Sequence, residues 1–206
     1  MFFAALYHPK SLWRKIHLQK QQIMTRILHE QFKQMALSAC AEEMRRDCYA
    51  PLEKLCESAQ KQVHKLEGLE SELVTSQYTT LCNKLIAEIV QCMGARREMY
   101  LPYIQTLVEK VAAEHNCSSC SGGCKINHDI QIIEMQASHQ HIKNILNQLN
   151  MVSLPLYSET IFPDTYRVLR NQMALIENML TELLYLEEHY LIPKVIDAQK
   201  TINAGS

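Results

Sequence analysis

Glycine and proline are scarce in this chain, at 5 and 6 copies in 206 residues, and tryptophan occurs once. That scarcity excludes a turn-rich β-sandwich, a collagen-like repeat and a low-complexity linker protein. Charge of one sign is lacking too: Lys and Arg total 21 against 22 Asp and Glu, a formal charge of −1. Without a basic tract to neutralise phosphates, nucleic acid is not expected as a ligand. No uninterrupted apolar run approaches the roughly 20 residues of a membrane helix. The apolar opening Met1-Phe2-Phe3-Ala4-Ala5-Leu6 has no basic leader and no small-residue cleavage site. A protein of the cytoplasm, free of membrane, is the expectation. Glycine-rich phosphate loops, G-x-S-x-G elbows and Ser/His/Asp arrangements are missing as well.

What is plentiful is helical periodicity, with 47% apolar residues recurring at i, i+3, i+4 and i+7. Residues 11–38 form an amphipathic leading helix through Leu12, Ile16, Met24, Ile27, Leu28, Phe32 and Met35. A second helix, about 39–68, uses Cys40, Met44, Cys48, Leu52, Leu55, Ala59 and Val63, and Gly68 suits its end. A third covers about 76–113 with Leu81, Leu85, Ile89, Cys92, Met99 and Tyr103. A fourth covers about 128–150 with Ile132, Met135, Ile142, Leu146 and Leu149. The last covers about 164–200 with Leu169, Met173, Ile176, Leu180, Leu183 and Leu191. A Pro155/Pro163 crossing at 152–164 separates the last two. The pattern predicts an all-α fold, an up-down-up-down four-helix bundle over 39–200 with an additional N-terminal helix over 1–38. Its hairpins, 39–113 and 128–200, are joined by a loop at 114–127. Met99-Tyr100-Leu101-Pro102-Tyr103-Ile104 echoes Tyr190-Leu191-Ile192-Pro193-Lys194-Val195, and the prolines predict matched kinks.

Eight cysteines are many for a chain expected in a reducing compartment, so thiol or metal chemistry is favoured over disulfides. Three cluster in the loop, Cys117, Cys120 and Cys124, flanked by His115 and His128. The spacing suits a Cys3His zinc knuckle with Cys117, Cys120, Cys124 and His128, or a redox thiol cluster; a plain connector is the simpler alternative.

Polar residues also interrupt the apolar stripes. Helical spacing carries the last stripe from Leu183 to Glu187 and the third from Cys92 to Arg96. His139 stands between Met135 and Ile142, and Glu43 sits beside Cys40 and Met44. Burying an unpaired charge costs several kcal/mol, so these four must find partners or bind an ion.

Residues 39–200 resemble the hemerythrin-like proteins that repair iron centres. The resemblance rests on His139 followed by the aliphatic run Ile142–Leu149, the proline-bearing crossing, Thr165-Tyr166-Arg167, and Leu186-Glu187-Glu188-His189-Tyr190-Leu191-Ile192-Pro193. Pro51-Leu52-Glu53-Lys54-Leu55 with Val63-His64 adds a fainter first half. The resemblance implies a bundle around non-haem di-iron, a role in iron–sulfur cluster repair and nitrosative or oxidative stress, and iron–sulfur proteins as partners. It places His139 at a ligand histidine and Glu187 at a ligand glutamate. Leu183, Cys92 and Arg96 stand where the family has histidine, histidine and glutamate, and Glu43 falls at or near the first-helix histidine. His139, Glu187, Glu43 and Cys92 are therefore the metal candidates, for iron or zinc. The alternative is a degenerate, non-catalytic bundle in which Arg96 pairs with Glu187, with Glu43 as a further partner. In that case the chain is a sensor or scaffold working through its cysteine loop. The leading helix suits packing on the bundle or a homodimer contact.

Overall fold

A computed structural model describes residues 29–66, 73–116, 128–158 and 164–203, and all regular structure among them is helical. The chain divides into two compact units, Met1–Ala36 and Leu37–Ser206. In the first, residues 29–34 are helical and the helix stops before Ala36, short of the expected end at 38. Among its described residues the second unit contains four long helices, three of them interrupted by a five-residue π-turn. The first bundle helix is α1 (Leu37–Met44), π1 (Arg45–Tyr49) and α2 (Ala50–Leu66). The second is α3 (Leu73–Ala95), π2 (Arg96–Tyr100) and α4 (Leu101–Ala112). The third is the unbroken α5 (His128–Ser158). The fourth is α6 (Arg167–Leu186), π3 (Glu187–Leu191) and α7 (Ile192–Asn203), entered through a 3-10 turn at Asp164–Tyr166.

A proline follows each π-turn. Pro51, Pro102 and Pro193 each stand six residues after the first residue of a turn, Arg45, Arg96 and Glu187 respectively. A proline inside a helix has no N–H for the carbonyl four residues back, and its ring crowds that carbonyl. The π-turn widens the helix just before it: the N–H groups of Ala50, Leu101 and Ile192 reach the carbonyls of Arg45, Arg96 and Glu187, five residues back. The kinks expected at Pro102 and Pro193 are thus π-turns, and Pro51 makes a third. Each turn inserts one residue into the helical register. The buried stripe of the first helix runs Cys40, Met44, Tyr49, Leu52, Cys56, Ala59, Val63. Tyr49 and Cys56 take the places expected for Cys48 and Leu55. In the second helix Tyr100 is buried and Met99 is exposed, reversing the expectation for the same reason.

Helix α5 runs to Ser158, past the boundary expected at 150, so Pro155 lies in its last turns rather than in a crossing loop. Its buried face extends through Leu149 to Ser153, and Ser153 Oγ donates to the Asn150 carbonyl at 3.0 Å. With no N–H at Pro155, the Met151 carbonyl loses its partner four residues on, one bond of the ladder within a turn of the helix's end. At the end of α4, Glu114 takes the left-handed conformation (φ 50°). The N–H groups of Glu114 and His115 then cap the Val111 and Lys110 carbonyls, in the manner of a Schellman motif.

Packing follows the apolar stripes. Helix α2 lies against α3 and α6, α3 against α5, α4 against α7, and α1 against α4 and π3. Leu52, Leu85, Ile89, Ile142, Leu169, Ile176 and Leu180 are fully removed from water, each contributing about 1.5–3 kcal/mol. Among the described residues no helix is long and apolar enough to cross a membrane.

Candidate functional site

Polar side chains meet in this apolar core at the level of the π-turns. Glu187 opens π3 one turn after Leu183 and is 0% exposed; Arg96 opens π2 and is 1% exposed; His139, in the middle of α5, is 2% exposed. Arg96 grips the carboxylate as a fork: Nε donates to Oε1 at 2.6 Å and Nη2 to Oε2 at 2.7 Å. Its remaining terminal nitrogen, Nη1, donates to the Cys92 carbonyl at 3.2 Å. Tyr49, closing π1, donates its hydroxyl to Glu187 Oε1 at 2.8 Å. His139 Nε2 lies 2.6 Å from Glu187 Oε2, and its Nδ1 lies 3.2 Å from Glu188 Oε1. Only an imidazolium donates to both carboxylates; a neutral ring serves one. Glu188, at the protein surface, also accepts from the Lys143 ammonium. One residue from each of the other three bundle helices, Tyr49, Arg96 and His139, therefore converges on the carboxylate that the fourth helix supplies.

Burial by itself would raise the Glu187 pKa, but the charge and paired hydrogen bonds of Arg96, with His139 behind them, bring it down to about 2. The same surroundings act oppositely on Tyr49, whose phenol is pushed well above its ordinary value by burial and by the neighbouring carboxylate. Burial also raises the Cys92 thiol, with the Arg96 charge opposing it.

The sequence-predicted residues divide sharply. Arg96, His139 and Glu187 are brought together. Cys92 adjoins them, accepting from Arg96 at its carbonyl, while its thiol donates to Glu88 Oε1 at 3.7 Å. Glu43 is not a partner of Arg96: it is partly exposed and pairs with Arg46 at 2.7 Å. Among the described residues no group of three or more His, Cys, Asp and Glu side chains is placed to hold a metal ion. The donor chemistry agrees, because each oxygen of Glu187 already accepts two hydrogen bonds and the nearest cation is a permanent one. A di-iron centre bridged by Glu187 would require those lone pairs and would face a guanidinium; the residues present do not fit it. Cys117, Cys120 and Cys124 lie outside the described residues, as does the side chain of His128.

Tyr49, Glu188 and Lys143 escaped the sequence reading. Glu188 is masked by the stronger stripe position of Glu187, and Lys143 is an ordinary surface lysine until Glu188 is placed beside it. Tyr49 carried a usable signal: Arg45-Arg46-Asp47-Cys48-Tyr49-Ala50-Pro51 parallels Arg96-Arg97-Glu98-Met99-Tyr100-Leu101-Pro102. A shared insertion before each proline moves both tyrosines onto the core face.

Neither protein-family models, nor curated proteins, nor solved structures yield a match to this chain.

Proposed function

We propose that this chain is a degenerate member of the hemerythrin-like class, an up-down-up-down four-helix bundle in which a guanidinium–carboxylate pair stands in place of di-iron. The helix pairings support that order: α1 meets α4 while α2 meets α3, and α2 meets α6 while α1 meets π3, as antiparallel neighbours do. The observation that carries the reading is the fork from Arg96 to Glu187, completed by Tyr49 and His139. A network with every acceptor occupied offers no open position for oxygen, nitric oxide or a substrate. It suits a rigid, non-catalytic bundle that presents surfaces and its cysteine loop as a scaffold or sensor.

The test is iron loading during expression, followed by elemental analysis and a visible spectrum of the purified chain. The expected result is no stoichiometric iron in the bundle and no absorption of the oxo-bridged type. Any zinc recovered is expected to vanish in Cys117→Ser/Cys120→Ser. About two irons per chain, surviving in that variant, would overturn the proposal.

A further inference from the structure

A second feature lies on the outer face of the third and fourth helices, where α5 and α6 leave a cleft of about 330 Å³, within the size range of small-molecule sites. One wall carries Glu177, Thr181, Tyr185 and Glu188, all from the same side of the fourth helix; eleven residues at 1.5 Å per residue make the cleft roughly 16 Å long. The opposite wall brings Lys143, Leu146, Asn147 and Asn150.

The two ends differ in charge balance. At one end the Lys143 ammonium is engaged by Glu188, which also faces His139. At the other, Glu177 accepts the Asn150 amide at 2.9 Å, and among the described residues no cation pairs with it. An amide fixes a carboxylate in place without neutralising it. Thr181, one turn on, offers a hydroxyl oxygen whose proton is already committed to the Glu177 carbonyl at 2.8 Å, leaving its lone pairs as acceptors. Between the ends, Leu146 and Leu184 supply an apolar lining beside the Tyr185 ring.

We propose that this cleft is a binding site for a small primary alkylammonium, its head on the Glu177 carboxylate and Thr181 hydroxyl and its aliphatic body along Leu146 and Leu184. A carboxylate ligand is disfavoured, because the only cation lining the cleft is already paired. The site does not depend on what occupies the bundle core, so it stands or falls separately from the function proposed above.

The experiment is a titration of the full chain with n-butylammonium, n-butanol and butyrate, read by amide chemical shifts and calorimetry. These three probes share an aliphatic body and differ in the head. Butylammonium is expected to bind saturably, with shifts centred on Thr181 and Leu184. Butanol is expected to bind at least about tenfold more weakly, a difference of ~1.4 kcal/mol, and butyrate not at all. Glu177→Gln is expected to lower butylammonium affinity by a similar factor. Asn147→Lys, a change at an exposed position that sets a cation in the cleft, is expected to abolish binding without touching Glu177. Saturation by none of the probes, equal binding of butanol and butylammonium, or unchanged affinity in both variants would overturn the assignment.

Discussion

At Glu187 a carboxylate sits where apolar side chains surround it, and its four hydrogen bonds decide what that costs. Placing both members of a charge pair in a core is expensive, and the attraction repays it only when the geometry is good and the remaining lone pairs are filled. Here both conditions hold. The consequence for pH follows from the depressed pKa: from an ordinary 4.5 to about 2 in the folded chain. A carboxyl held low in the native state stabilises the fold above its unfolded pKa and loses that contribution as pH falls through the folded value. Stability of the wild-type chain is therefore expected to decline between about pH 4.5 and about 2, as followed by denaturant melts. Glu187→Gln, though less stable at neutral pH, should show a flatter limb over that window. An equal slope in both proteins would mean that Glu187 does not titrate as the geometry requires. Burial acts on the thiols in the opposite sense, pushing Cys56 and Cys82 up to about 12. In native protein at neutral pH, alkylation of these two should wait for unfolding, which peptide mass mapping can follow. Rapid native labelling of Cys82 would contradict the packing described.

At the scale of the helices, the π-turns connect sequence to site. The apolar stripes, the four long helices from Leu37 onward and the placement of Arg96, His139 and Glu187 on buried faces were all legible from spacing alone. Beside the π-turns, uniform spacing misplaced side chains. Cys48, Leu55 and Met99 were assigned inward on a constant helical period, and each was off by the one residue that a π-turn inserts. Glu43 failed for a different reason: at the edge of a stripe, a glutamate three residues before an arginine finds its counter-ion on its own helix. If the turns have already absorbed the missing N–H, their prolines should be nearly free of further cost. Pro102→Ala, at an exposed position, is expected to change unfolding free energy by less than about 1 kcal/mol. Asn144→Pro, in the unbroken α5 and equally exposed, is expected to cost about 3 kcal/mol or more. A large loss in Pro102→Ala would show that proline maintains the turn rather than being accommodated by it.

For the molecule as a whole, the four bundle helices each send one side chain to Glu187 or are themselves its source, so the polar core ties together elements far apart in sequence. Apolar contacts tolerate sliding and rotation; a forked ion pair with a tyrosine and a histidine does not, and it fixes the relative register of the helices. That role makes the coupling between Arg96 and Glu187 the quantity on which the proposed reading depends. A double-mutant cycle with Arg96→Met, Glu187→Gln and the pair, measured by denaturant unfolding at neutral pH, reads it directly. Each single variant strands a buried charge and should lose about 3–5 kcal/mol. The double variant, with both charges gone, should lose clearly less than the sum. Additive losses, or single variants close to wild-type stability, would contradict the claim that this pair holds the core together.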